Sequence, residues 1–319
     1  MNKFSNRLKD NTYQKFLPAA AACLGHSIWG FSYLFTRIGL SVSEPDVLLS
    51  IRFLTAFLMM NLLILSGKAR VSFRGKKLRP ILMLAITEPL YFYFESYGIL
   101  YTNATFSGVV LAASPVVSIL LAIPLLKEYP SGRQMVFCIL PIAGVILMTI
   151  SGSSLGIIQP FGVFCLCCTC LTSSAYKLAN RKSSEEFTSF ERTYMVLFAS
   201  ALVFTISAFR TVHGDLRLYL EPLTHGSFRF AILMLTTFCS LGANMLVNYA
   251  AGRMTVVKLS TFGALTTLCS MFAGVLFLHE PMTGGLLLGA ILILIGIRQV
   301  TREPKQQPVS VMKIMQQQS

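Results

Sequence analysis

Two glutamates, Glu88 and Glu95, stand seven residues apart inside an otherwise apolar run, Leu78–Leu100. On a helix that spacing puts them on one face, with Tyr91 and Phe92 between them. A charge carried into hydrocarbon costs at least about 2.5–3.5 kcal/mol on insertion scales, so each acid needs a reason to be there. Two reasons fit Glu88. It binds a substrate amine or takes a coupling proton, or it pairs structurally with a base such as Arg52. Pro89 follows it, and a proline removes one backbone donor and frees a carbonyl nearby. Glu95 either extends the same polar stripe or lies near enough to a membrane face to be wet. Arg52, in the run Asp46–Ser66, could grip an anionic substrate with its two-pronged guanidinium. It could equally pair with an acid or snorkel. Asn244 and Asn248 are four apart in the run Phe228–Ala250, and amides in lipid seek partners in a cavity or across a helix interface. Trp29 and Tyr33 have the same spacing in the run Phe16–Leu40, as an aromatic wall or as plain packing. His26 either relays protons or is a hydrogen-bonded core residue. Lys177, Arg253 and Lys258 read as snorkelling bases.

Other chemistry is poorly supported. Cys165, Cys167, Cys168 and Cys170 resemble a metal spacing, but on a helix they point to different faces and one ion cannot bind them all. No metal site and no cofactor are expected. No glycine-rich phosphate loop with lysine is present, so no ATP motor is built in. His213 and His225 have no nucleophile beside them, and the chain is not expected to be an enzyme. Asn103-Ala104-Thr105 fits a glycosylation sequon but sits against the expected membrane.

These residues must be positioned by long apolar elements. Of 319 residues 54% are hydrophobic and 13% charged, and mean hydropathy is +0.65. A soluble chain carries about a quarter charged residues. The charges sit in breaks, and the runs between them approach the length of about 20 residues that a helix needs to cross a bilayer core. The formal net charge of +14 suits basic residues flanking membrane spans, and no soluble stretch is long enough to read nucleic acid. The expected spans are about Phe16–Leu40, Asp46–Ser66, Leu78–Leu100, Thr105–Leu126, Gln134–Ile150, Phe161–Leu178, Phe190–Phe209, Phe228–Ala250, Val256–Leu278 and Gly284–Val300. A barrel would alternate apolar and polar residues, and these runs do not.

Bases crowd the N-terminal arm, the break Lys68–Arg79, the break around Arg181, Lys182 and Arg192, and the C-terminal tail. With ten spans all four fall on one side, so both termini are expected in the cytoplasm and Arg210–Ser227 outside. The end of the first span lacks a small-residue cleavage pattern, so it is expected to remain as a span. The second half also repeats the first. At one constant offset Tyr97 aligns with Tyr249, Ser118 with Ser270, Glu128 with Glu280, Gly132 with Gly284 and Gly144 with Gly296. Five spans per half is odd, so the halves are expected to be inverted. The expected fold is thus an all-α integral membrane protein, with ten transmembrane helices as two inverted five-helix repeats. Residues 1–15 form a cytoplasmic arm, 16–152 and 153–300 the two repeats, and 301–319 a disordered cytoplasmic tail.

Several stretches together carry a family resemblance. They are Trp29-Gly30 with Tyr33, Pro45 with Ser50-Ile51-Arg52-Phe53, Tyr97–Tyr101 leading to Asn103-Ala104-Thr105, and Ser114-Pro115. Leu126-Lys127-Glu128 and Leu278-His279-Glu280 close two runs, and Gly144 and Gly296 lie in the last run of each half. In their order and duplication these resemble the EamA type of the drug/metabolite transporter superfamily. The chain departs from that pattern at Thr266-Thr267, where an acid and proline are frequent, at Thr172 in place of Trp, and at Lys258. The resemblance implies a secondary transporter of the plasma or inner membrane. It would move a small metabolite, such as an amino acid or related compound, outward by alternating access, coupled to protons or by exchange. The residues expected along the path are Trp29, Tyr33, Arg52, Glu88, Tyr91, Glu95, Ser114, Asn244, Asn248 and Tyr249. The expected partners are a small-molecule substrate and the lipid bilayer, with no nucleic acid, and a homodimer through the small-residue faces of the fifth and tenth spans. The competing readings are a lipid flippase on the same fold and a membrane sensor or enzyme using the external segment 210–227.

Overall fold

The computed structural model describes residues 2–101, 110–111, 114–127, 129–151, 159–278 and 284–302. The Asn103 sequon, Glu128, His279, Glu280 and the tail beyond Arg302 lie outside them, as do the side chains of residues 1–15 and of Tyr33. Among the described residues the regular secondary structure is helical, joined by turns and breaks, with no strand. The helices are α1 (Asn2–Leu40), α2 (Pro45–Leu65), α3 (Leu78–Leu100), α4 (Ser114–Leu126), α5 (Gly132–Ser151) and α6 (Pro160–Ser183). They continue as α7 (Ser189–Thr211), α8 (Gly226–Ala251), α9 (Val256–Leu278) and α10 (Gly284–Arg302). Among the described residues five helices are long and apolar enough to cross a membrane: α2, α6, α7, α8 and most of α9. Shorter apolar stretches lie in α4, α5 and α10.

The polar breaks set these boundaries. Pro45 opens α2 at its first turn, where a missing N–H costs nothing. Thr188 and Glu191 form a reciprocal capping box at the start of α7, which satisfies two otherwise orphaned donors. Two findings differ from the expected spans. Helix α1 begins at Asn2 rather than near Phe16, because its polar N-terminal stretch continues the helical backbone that hydropathy alone could not extend. The middle of α8, Leu235–Ala243, is wound as π-helix.

The chain divides into two compact units, each drawn from both halves of the sequence. The first holds Met1–Pro89, Ser183–Met254 and Leu265–Glu280; the second holds Leu90–Lys182, Thr255–Ala264 and Pro281–Ser319. The divisions fall inside α3, just after Pro89, and inside α9.

In the first unit α2 lies along α7. Phe53 stacks on Phe204 with ring centroids 5.6 Å apart, and Phe57 meets Tyr194 and Phe198. A core of Val47, Leu48, Ile51, Ala208, Phe228, Ile232, Leu235 and Cys239 joins α2, α7 and α8. The break after α7 belongs to that core. Asp215 caps a one-turn helix, Leu216–Leu220, and buried Tyr219 bonds the Ser50 hydroxyl at 2.9 Å. The basic break before α3 is also tied down, since the Lys76 ammonium lies 2.7 Å from Glu191 and the Ser72 amide donates to the same carboxylate.

In the second unit α5 and α10 pack through small residues. A Cβ on Gly144 would stand 2.6 Å from the Gly289 carbonyl, and one on Gly296 would overlap Pro141. The small-residue faces of these two helices are therefore occupied by each other. Helices α4 and α6 join through Ser118 and Ser174, 3.0 Å apart. Outward from both units, large apolar side chains are as common as in the cores. Leu58, Leu62, Leu120, Ile139 and Phe164 are each more than half exposed. That suits a surface solvated by lipid and not by water.

Candidate functional site

A buried polar cluster lies in the first unit, where α2, the end of the first half of α3, and α8 supply side chains. Arg52, Glu88, Ser240 and Asn244 are all buried. The Arg52 Nε donates to the Ser240 Oγ at 2.8 Å, and its guanidinium lies over the Phe53 ring, 5.1 Å from the centroid. The Asn244 amide donates to the Ser240 carbonyl at 3.0 Å, and Asn244 and the Arg52 charge both bear on the Glu88 carboxyl. Two acceptors here, Glu88 Oε2 and Asn244 Oδ1, are buried with no hydrogen-bond partner among the described residues. Leaving a buried acceptor unmet costs about 1–3 kcal/mol, more for a charged group. The site therefore presents a carboxylate and an amide oxygen to a group rich in donors, beside a fixed positive charge.

The π-helical turns in α8 shape this cluster. A π turn inserts one residue and displaces the regular carbonyl pattern. The Cys239 carbonyl, inside that segment, accepts the Trp29 indole N–H at 3.1 Å. Trp29 meets the His26 ring edge-on at 5.2 Å, and the His26 Nδ1 is 3.2 Å from the Thr266 hydroxyl. Thr266, one of the departures from the family pattern, is thus the partner of a core histidine.

The structure brings Arg52, Glu88 and Asn244 together, with Trp29 braced on the same stretch of α8. Asn248 lies one turn away from them, bonding Thr193 Oγ1 at 2.7 Å, while its carbonyl accepts from buried Arg192 at 2.6 Å. Tyr249 faces Arg253, whose guanidinium sits 3.8 Å over its ring. In the second unit Tyr91 donates to Glu95 at 2.6 Å, one turn along α3. Ser114 there accepts from Lys177 at 3.0 Å, so Lys177 does not snorkel as expected. Sequence reading missed Thr236 and Ser240. The signal was present: Thr236, Ser240, Asn244 and Asn248 are spaced by four, and all are buried. The four clustered cysteines of α6 face different ways, from buried Cys165 to exposed Cys167.

Ionisable and amide side chains buried among lipid-facing helices are costly and need a partner or a function. Residues 17–150 match the EamA-like transporter family, and residues 160–302 match it again. The chain belongs to the EamA-like transporter family. Its relatives include the uncharacterized transporter YcxC of Bacillus subtilis (strain 168), 32% identical over 88% of this chain and 91% of that one. An uncharacterized transporter of Archaeoglobus fulgidus is 25% identical over 87% of this chain and 96% of its own length. One crystal structure shares the fold with a TM-score of 0.74 at 16% identity, covering 89% of this chain and 96% of that one. This EamA-like protein is thus a multi-pass membrane transporter, with Arg52, Glu88 and Asn244 in the interior of one of its units.

Proposed function

We propose that the chain is a secondary active transporter that moves a small amine-bearing metabolite, such as an amino acid or a related compound, outward across the plasma or inner membrane. Ten spans form two inverted five-helix repeats that alternate access, and both termini are cytoplasmic. Glu88 carries the coupling proton and, when ionised, the substrate amine. The observation that supports this most is the pair of unmet acceptors, Glu88 Oε2 and Asn244 Oδ1, buried beside Arg52. An ammonium group supplies donors to both; a proton on Glu88 removes the charge and one of the two needs. The two ligands therefore compete for one carboxyl, which is the arrangement that exchange between proton and substrate requires. Binding either one to a single conformer by a few kcal/mol is enough to shift the populations of two open states.

The test is transport in proteoliposomes loaded with a set of amino acids and amines. Glu88→Gln keeps the shape of the side chain and removes its titratable charge. It is expected to retain protein abundance and abolish accumulation driven by a proton gradient. Wild-type accumulation with wild-type pH dependence in this variant would contradict the assignment and make Glu88 a structural residue.

A further inference from the structure

We propose a second binding site, in the other unit: Lys177 and Ser173 of α6, with Ser114 of α4, hold the carboxylate group of a small monoanion. The proposal does not rest on the Glu88 reading. Lys177 sits one to two turns before the Arg181–Lys182 end of α6. A snorkelling lysine there would reach toward that end. Its ammonium does the opposite. Ser118 and Ser174 mark a common level on α4 and α6, being 3.0 Å apart. From a position C-terminal to that level, Lys177 reaches back to Ser118 Oγ at 3.4 Å and on to Ser114 Oγ at 3.0 Å. In the other direction Ala122, Leu178 and Val256 close the helices with an apolar cluster.

An ammonium has three donors, and Lys177 spends them on two neutral hydroxyls. The titratable group that bears on it among the described residues is the Cys170 thiol, not a carboxylate. Ser114 passes its own hydrogen to Ser173 Oγ at 3.3 Å. The Ser118 hydroxyl is committed to the Ser114 carbonyl at 2.8 Å, and Ser174 to the Cys170 carbonyl at 2.8 Å. That leaves the third Lys177 hydrogen and the Ser173 hydroxyl hydrogen without an acceptor among the described residues. Lys177 and Ser173 each keep part of their surface exposed. One positive charge with a neighbouring hydroxyl donor matches one carboxylate, whose oxygens accept from both. A dianion would leave a net negative charge in apolar surroundings, which is unfavourable.

The experiment uses the full-length protein, purified in detergent, with sodium acetate as the probe. Sodium chloride and sodium phosphate at equal ionic strength are the comparison anions. Acetate is expected to raise the unfolding midpoint saturably and more than either comparison anion. Lys177→Met is expected to remove the acetate response, and Ser173→Ala to raise the half-saturating concentration several-fold. A repeat in phosphatidylcholine nanodiscs with and without oleate separates sources. Acetate binding unaffected by oleate assigns the carboxylate to a soluble compound, and competition assigns it to a lipid. No acetate response in the wild type, an equal response to chloride, or an unchanged half-saturating acetate concentration in Ser173→Ala would overturn the site, even if Lys177→Met does not fold.

Discussion

At the scale of single residues, the Ser240 hydroxyl holds the Arg52 guanidinium, whose charge acts on the buried Glu88 carboxyl. Removing one of two interacting buried charges leaves the other less compensated, which costs on the order of 1–3 kcal/mol. Arg52→Met should therefore lower the unfolding free energy by about that amount, and Arg52→Met combined with Glu88→Gln should recover much of it. Thermal unfolding of the four proteins of this double-mutant cycle measures the coupling, and strictly additive losses would show that the two groups do not interact. The sequence made Arg52, Glu88 and Asn244 visible because a charge or an amide inside an apolar run is conspicuous by itself. It could not say which of them meet, since Arg52 and Asn244 come from helices far apart in the chain. Asn248 and Tyr249 look equivalent to Asn244 by type, yet one turn of helix sends them to Thr193 and Arg253 instead. Lys177 was read from its position near a helix end, and position does not reveal that its ammonium turns back toward Ser114.

At the scale of the elements, hydropathy located the helices because polar breaks interrupt long apolar runs. Helices α3 and α9 begin and end where the runs do. The π-helical segment of α8 escaped notice, since an inserted residue changes the winding without changing the composition. Helix contacts then depend on whether a small residue faces backbone or open space, which composition also hides. Gly296 abuts Pro141, while Gly263 in α9 has nothing within 4 Å of an added Cβ. Gly296→Ala should destabilise by about 1–3 kcal/mol, the usual range for overpacking. Gly263→Ala should be neutral or stabilising by up to about 1 kcal/mol, because alanine favours a helix interior over glycine. Unfolding midpoints in the same detergent check the pair. Equal effects would mean that the α5–α10 contact is looser than described.

At the scale of the whole molecule, the internal repeat was legible in the sequence, and the family matches the chain twice. The interleaving of the two halves into both compact units was not, because it depends on which helices pack and not on their order. The proposed topology makes a prediction that needs no substrate. Reporter fusions at Lys76 and after Arg302 should both read cytoplasmic, and one at Thr211 external; an external C-terminus would overturn the ten-span arrangement. The central claim is that the Arg52–Glu88–Asn244 cluster is a translocation site opened alternately to the two sides. It is tested most directly by a single cysteine at Asn244, in a background with the eight native cysteines replaced, labelled with an impermeant maleimide from each face of the membrane. Labelling is expected from both faces, with conditions that favour one face suppressing the other. Simultaneous unrestricted access from both faces would describe a channel, and no access from either would describe a sealed structural core; both contradict the account.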